Sequence, residues 1–161
     1  MNTDLKKASS NVQEFSLNGL SCWGKIVYVY DGDTVHIVIN FNNLLTKFNC
    51  RLFGIDTKEI KSSNPADKEL AIKARNHLLL KMGDNLEKCN TIEGRNDLCS
   101  KSEKLVWVNC LEFDKYGRLL VELYSNTDSI DSADSFNSIL LSKNLSVSYD
   151  GGKKINPWTK S

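Results

Sequence analysis

The chain has 161 residues, 40% of them hydrophobic and 25% charged, with 21 lysines and arginines against 20 aspartates and glutamates. That composition suits one globular domain with a single core. A net charge of +1 excludes a non-specific nucleic-acid coat or an electrostatic membrane binder, both far more basic, so any handling of polyanions must rest on a local cluster of cations.

Residues 1–18 are polar, with Asp4, Lys6, Lys7 and Glu14 and no apolar run. They read as a flexible segment preceding one folded domain, residues 19–161. Neither a secretory signal nor a membrane span is present, which points to a cytoplasmic protein with no membrane partner, and nothing in the pattern calls for a second copy, so a monomer is expected. The five cysteines (Cys22, Cys50, Cys89, Cys99, Cys110) are odd in number and lack CxxC spacing, and there are two histidines. Reduced thiols and no zinc are expected.

From residue 23 the pattern changes. Residues 23–30 and 34–39 alternate as two strands across an Asp31-Gly32 turn. Residues 46–55 read as a third strand after the Asn42-Asn43 loop. A helix begins at Asn64-Pro65, with Asn64 as cap, Pro65 at the first helical position and Asp67 and Glu69 at the positive end of the dipole. Leu70, Ala71, Ala74, Leu78 and Met82 recur at helical spacing, and Gly83 marks the stop. Residues 83–104 are polar and read as a long surface loop, in which Cys89 and Cys99 are idle thiols or pair on oxidation. Residues 105–113 and 118–124 form a second hairpin around Gly117. A shorter helix fits residues 132–144, with Phe136, Ile139 and Leu140 on one face, and the tail is rich in turns. The order is α+β. Five short strands with two or three flanking helices fit an OB-type β-barrel, with an open sandwich as the competitor.

Several charged residues stand where a plain scaffold has no use for them. Arg51 interrupts the apolar third strand, Asp56 ends it, Glu59 follows three residues later, and Arg118 opens the last strand. Taken singly, each is ordinary solvated surface. Taken together, Asp33 and Asp56 offer hard oxygens suited to Ca²⁺ or Mg²⁺. Arg51 and Arg118 carry forks that match phosphate, and Glu59 can orient or deprotonate water. Phosphodiester hydrolysis needs such a set. An EF-hand does not fit: starting from Asp31, His36 falls where Gly is required and Asn42 where the bidentate Glu belongs. There is no Walker-type loop, and His36 and His77 read as strand and helix residues.

The stretches "DGDTV", "CRLFGIDTKE" and "DKYGRLL", in this order, resemble the staphylococcal nuclease (thermonuclease) family over about residues 23 to 149. The resemblance implies an OB-type barrel and a nuclease: a hydrolase that cleaves DNA and RNA with one Ca²⁺ ion and little sequence specificity. Asp33, Asp56 and the backbone carbonyl of Thr57 then hold the metal. Arg51 and Arg118 contact the scissile phosphate, and Glu59 is the general base or water-positioning group. Lys115 and Tyr116 lie near a terminal phosphate, and Tyr149 supplies an aromatic wall. Stacking on these tyrosines favours single-stranded or frayed nucleic acid. This sequence departs from the family where Lys58 replaces the proline of Asp-Thr-Pro-Glu, which loosens the backbone before Glu59. A catalytically weak SNase-like module that binds nucleic acid or protein is the alternative, disfavoured by retention of all five charged residues.

Overall fold

A computed structural model describes residues 4–128 and 130–151. Five strands form a closed barrel: β1 (Ser21–Val29), β2 (Thr34–Phe41), β3 (Leu44–Leu52), β5 (Val106–Phe113) and β6 (Leu119–Tyr124). Around the barrel the order is β1-β2-β3-β6-β5. Neighbours pair antiparallel except β3 with β6, which are parallel. A small second sheet pairs β4 (Ile55–Asp56) with β7 (Val147–Ser148). The helices are α1 (Pro65–Leu79), α2 (Ile92–Lys101) and α3 (Phe136–Ser142). This is the α+β, OB-type barrel with flanking helices that the strand pattern predicts, and closure rules out the open sandwich.

Alternation fills the barrel. Val35, Ile37 and Ile39 of β2 point inward and meet Ile26, Val29, Val108, Val121 and Leu123. Asn42 and Asn43 both take positive φ, 50° and 63°, so the expected Asn-rich loop is a two-residue turn of the mirror-image kind that matches strand twist. The Asn64 side chain accepts hydrogen bonds from the amides of Ala66 (2.9 Å) and Asp67 (3.3 Å), capping α1 as its sequence predicts. Ala71, Ala74, Leu78 and Leu79 form the buried face of this helix, which ends at Leu79, four residues before Gly83. Among the described residues, no helix is long and apolar enough to cross a membrane.

Four expectations need correction. Residues 83–104 are not a surface loop: they contain α2, and Cys89 and Cys99 are buried, with all five cysteines free. The inward face of α2 is carried by Arg95, Leu98 and Cys99, and a buried arginine counts as polar in any periodicity test, which hides the helix. Residues 46–55 are not one strand, because the chain turns at Phe53-Gly54 and separates β3 from β4. The last helix is shorter than 132–144, since Ser135 interrupts it by capping α3, its Oγ accepting from the Ser138 amide at 3.1 Å. Finally, the chain joins the barrel before residue 19. The Phe15 ring lies 5.8 Å from Phe41 and 6.0 Å from Phe113, and Leu17 is buried.

Candidate active site

Strand register brings the charged motifs together at one barrel mouth. In the β2–β3 pair Thr34 faces Arg51, and the Leu52 amide donates to the Asp33 carbonyl at 2.8 Å. Arg51 also pairs with Leu120 across the parallel β3–β6 junction, which sets the Arg118 end of β6 beside it. The β4–β7 pairing and a 2.9 Å hydrogen bond from the Tyr149 amide to the Gly54 carbonyl bring in Tyr149. A cavity of about 660 Å³ results. Asp33, Arg51, Asp56, Thr57 and Glu59 are among its lining residues, as are Lys115, Tyr116, Arg118 and Tyr149. Every residue singled out from sequence reaches this cavity, although Glu59 stands exposed at its edge.

The turn that opens the site is built by Asp31. Its Oδ1 accepts from the amides of Asp33 (3.1 Å) and Thr34 (2.9 Å), a side chain doing the work of a backbone turn. Gly32 is required by space: a Cβ there would lie 2.5 Å from that of Ala74 and 2.8 Å from Thr57 Cγ2. The turn therefore packs directly on α1, and Asp33 is aimed away from it. Its Oδ2 accepts from the Thr57 amide at 2.9 Å and its Oδ1 from the Thr34 hydroxyl at 3.1 Å.

Three buried carboxyl groups, those of Asp31, Asp33 and Asp56, stand at this mouth with the buried Arg51. Arg51 Nη2 lies 3.0 Å from Asp56 Oδ1 and 3.5 Å from Asp33 Oδ2. Its Nη1 donates to the carbonyls of Ile55 (2.9 Å) and Leu52 (3.5 Å). Arg51 thus holds the two carboxylates in register through Nη2, while its Nη1 is committed to backbone carbonyls. Three buried carboxyl groups against one buried guanidinium leave an excess of acid at this mouth, and burial, then the neighbouring Asp33 charge, push the Asp31 carboxyl up to about 7.

That excess suits a hard cation. Asp33, Asp56 and the Thr57 carbonyl are the oxygens expected from sequence to meet one, and Thr57 Oγ1 is buried with no hydrogen-bond partner among the described residues, an orphan that calls for a ligand. Among the described residues, no three His, Cys, Asp or Glu side chains form a metal-holding group. A divalent ion at this mouth would rest on two carboxylates and would need backbone oxygens and water to complete its shell.

The opposite lip is organised by Asp114, which the sequence reading passed over as part of a turn. Its Oδ1 accepts from the amides of Tyr116 and Arg118, both at 2.9 Å, and its Oδ2 from Arg118 Nε at 2.8 Å. Gly117, at φ +79°, closes this turn where a side chain would be strained. Burial raises the Asp114 carboxyl, but hydrogen bonds from Arg118 and Tyr116 and the Arg118 charge outweigh it and hold the group below its ordinary value. With Nε engaged, the terminal nitrogens of Arg118 have no hydrogen-bond partner among the described residues. Tyr116 is 72% exposed, with Lys115 Nζ 5.2 Å and Arg118 Cζ 5.3 Å from its ring centre. Tyr149 places its ring 5.0 Å from Arg51 Cζ.

Lys58 makes an ion pair of 3.0 Å with Asp67 in the first turn of α1. That contact ties the segment before Glu59 to the helix. Tyr30 and Phe53 also line the cavity, each partly exposed. Sequence reasoning missed both, because an aromatic at a strand end reads as core.

The chain matches no protein-family model, and no curated protein is significantly similar to it.

Proposed function

We propose that this protein is a Ca²⁺-dependent phosphodiesterase that hydrolyses DNA and RNA with little sequence specificity, built on the plan of the staphylococcal nuclease family. The observation that carries the proposal is the convergence of three distant motifs, each with its charged residues, on one cavity of about 660 Å³. Chance surface charges have no reason to converge so.

Asp33, Asp56 and the Thr57 carbonyl would hold the ion. When bound, a hard divalent cation offsets the negative charge that builds on phosphate during in-line attack. The open terminal nitrogens of Arg118 grip the scissile phosphate as a fork. Arg51 bridges the two aspartates and adds positive charge beneath the reacting group. Glu59, on the exposed edge, orients the attacking water and takes its proton. Lys115 and Tyr116 form the lip that receives a neighbouring phosphate, while Tyr149 offers a face for a base. Stacking on exposed rings favours unpaired bases, so single strands and frayed ends are the preferred substrates. With few phosphate contacts, affinity should fall only gently with salt.

The test is digestion of a single-stranded oligonucleotide by the wild-type protein with Ca²⁺, with a chelator, and by Glu59→Gln with Ca²⁺. Cleavage that needs Ca²⁺ and falls by roughly 100-fold or more in Glu59→Gln is expected. Absence of cleavage with Ca²⁺, or cleavage indifferent to chelator, contradicts the reading. Tight binding of the oligonucleotide without cleavage would establish the binding module in its place.

A further inference from the structure

Two arginines that the mouth does not use are buried against each other's charge. Arg75 of α1 is 5% exposed and Arg95 of α2 is 7% exposed. Neither lines the mouth cavity. Neither forms an ion pair among the described residues, whose salt bridges all lie elsewhere. Guanidinium does not shed its proton in proteins, so this charge cannot be relieved by titration, and an isolated buried charge is among the costliest groups a fold can contain.

The partners present are too few and all neutral. Arg95 Nη1 donates to the Cys89 carbonyl at 3.1 Å, while Arg95 Nε is buried with no partner among the described residues. Arg75 Nε and Nη2 share the Oδ1 of the adjacent Asn76, at 3.4 and 3.3 Å. The groups that act electrostatically on Arg75 are Arg95, the Cys89 thiol and the Tyr28 phenol, with no carboxylate among them. Cys89 is not a hidden counter-ion. Burial raises its thiol more than the two guanidiniums lower it, so the sulfur stays protonated.

We propose that Arg75 and Arg95 form a second site, outside the barrel between α1 and α2, that binds a phosphate-class dianion. Two forks match the tetrahedral oxygens of phosphate, and two positive charges match a dianion, whereas one carboxylate leaves half the charge unmet. The small exposed fraction of both residues admits a small ion rather than the face of another protein. Free phosphate and the phosphate end of a nucleic-acid fragment share this chemistry.

The experiment is thermal unfolding in sodium phosphate against sodium chloride at matched ionic strength and pH, in an Arg118→Gln background that weakens phosphate binding at the mouth. A ligand held only by the native state raises the midpoint with the logarithm of its concentration. The expected result is a phosphate-dependent rise of several degrees in Arg118→Gln that is lost when Arg95→Gln is added. Arg75→Gln serves as the second variant, since Arg95 also anchors the Cys89 carbonyl. Phosphorus NMR of inorganic phosphate titrated with the Arg118→Gln protein reads binding without either substitution, as a broadened line. A terminally phosphorylated dinucleotide that stabilises as phosphate does, beside an unphosphorylated one that does not, assigns the site to nucleic-acid ends. Stabilisation by free phosphate alone assigns it to the ion. Absence of any phosphate-dependent rise or broadening in Arg118→Gln, or an equal rise with and without the Arg75 and Arg95 substitutions, overturns the proposal.

Discussion

At the barrel mouth, Asp31, Asp33 and Asp56 are buried with Arg51, and between α1 and α2, Arg75 and Arg95 are buried without an ion pair among the described residues. Both clusters lie on well-packed elements, yet they solve the problem of buried charge differently. The mouth carries its own partial answer: Arg51 bridges two carboxylates, amides cap the third, and the remaining imbalance is negative. The helix pair has almost no internal answer, and its imbalance is positive. On the proposals made above, buried charge that the fold leaves unmatched gives the sign of the ligand, a cation at the mouth and an anion between the helices.

The sharpest break of this comparison is Asp33→Ala. Removing the carboxylate that joins the turn to Thr57 should lower Ca²⁺-dependent cleavage by roughly 100-fold or more, read as the initial rate on a single-stranded oligonucleotide; full activity would empty the mouth of its assigned role. Arg118→Ala should cost a comparable factor, on the order of 100-fold. Its folding stability, however, should change by less than about 1 kcal/mol in urea unfolding, because the Asp114 pair is partly solvated. A large stability loss there would make Arg118 a structural residue.

Gly32→Ala probes how the turn is seated rather than its charge. The added methyl meets Ala74 and Thr57, so a loss of about 1–3 kcal/mol is expected, accompanied by slower cleavage as Thr57 shifts. A stable, fully active variant would show that the turn is not clamped against α1. The smallest effect concerns the thiols. Burial pushes Cys50 and Cys110 up to about 12, and the thiolate is the form that reacts. Far below that value almost no thiolate exists, so native alkylation at pH 8 should reach half-buried Cys22 first. Mass spectrometry of the native protein reads the order, and early labelling of Cys50 or Cys110 would show a looser barrel.

Much of this architecture is legible in the sequence because its signals are local. Asn64-Pro65 caps a helix by chemistry that needs no tertiary context, and Asp31-Gly32 turns between strands whose alternation marks the barrel interior. The charged site was legible for a different reason: Arg51 and Asp56 interrupt an apolar pattern, and polar residues in apolar company ask for an explanation. What failed was whatever depends on a charged side chain turning inward. Arg95 made α2 look like a solvated loop, and Arg75 carries no signal in a helix whose buried face is traced by apolar residues. Asp114 was taken as turn chemistry alone, because only the folded hairpin reveals that the carboxylate orients Arg118. Asn137 belongs to the same class. It is buried, its amide donates to the carbonyls of Phe53 and Val121 at 2.8 and 3.0 Å, and its oxygen accepts from the Leu123 amide at 3.3 Å. No periodicity distinguishes such a residue from an exposed helix position.

The central claim, that excess negative charge at the mouth serves a cation and that this cation serves phosphodiester hydrolysis, is tested most directly by the initial rate of single-stranded DNA cleavage as a function of free Ca²⁺. The account predicts a rate that rises from near zero in chelator to a plateau as the ion saturates the mouth. A rate that does not depend on Ca²⁺, or no cleavage at any Ca²⁺ concentration, would contradict it.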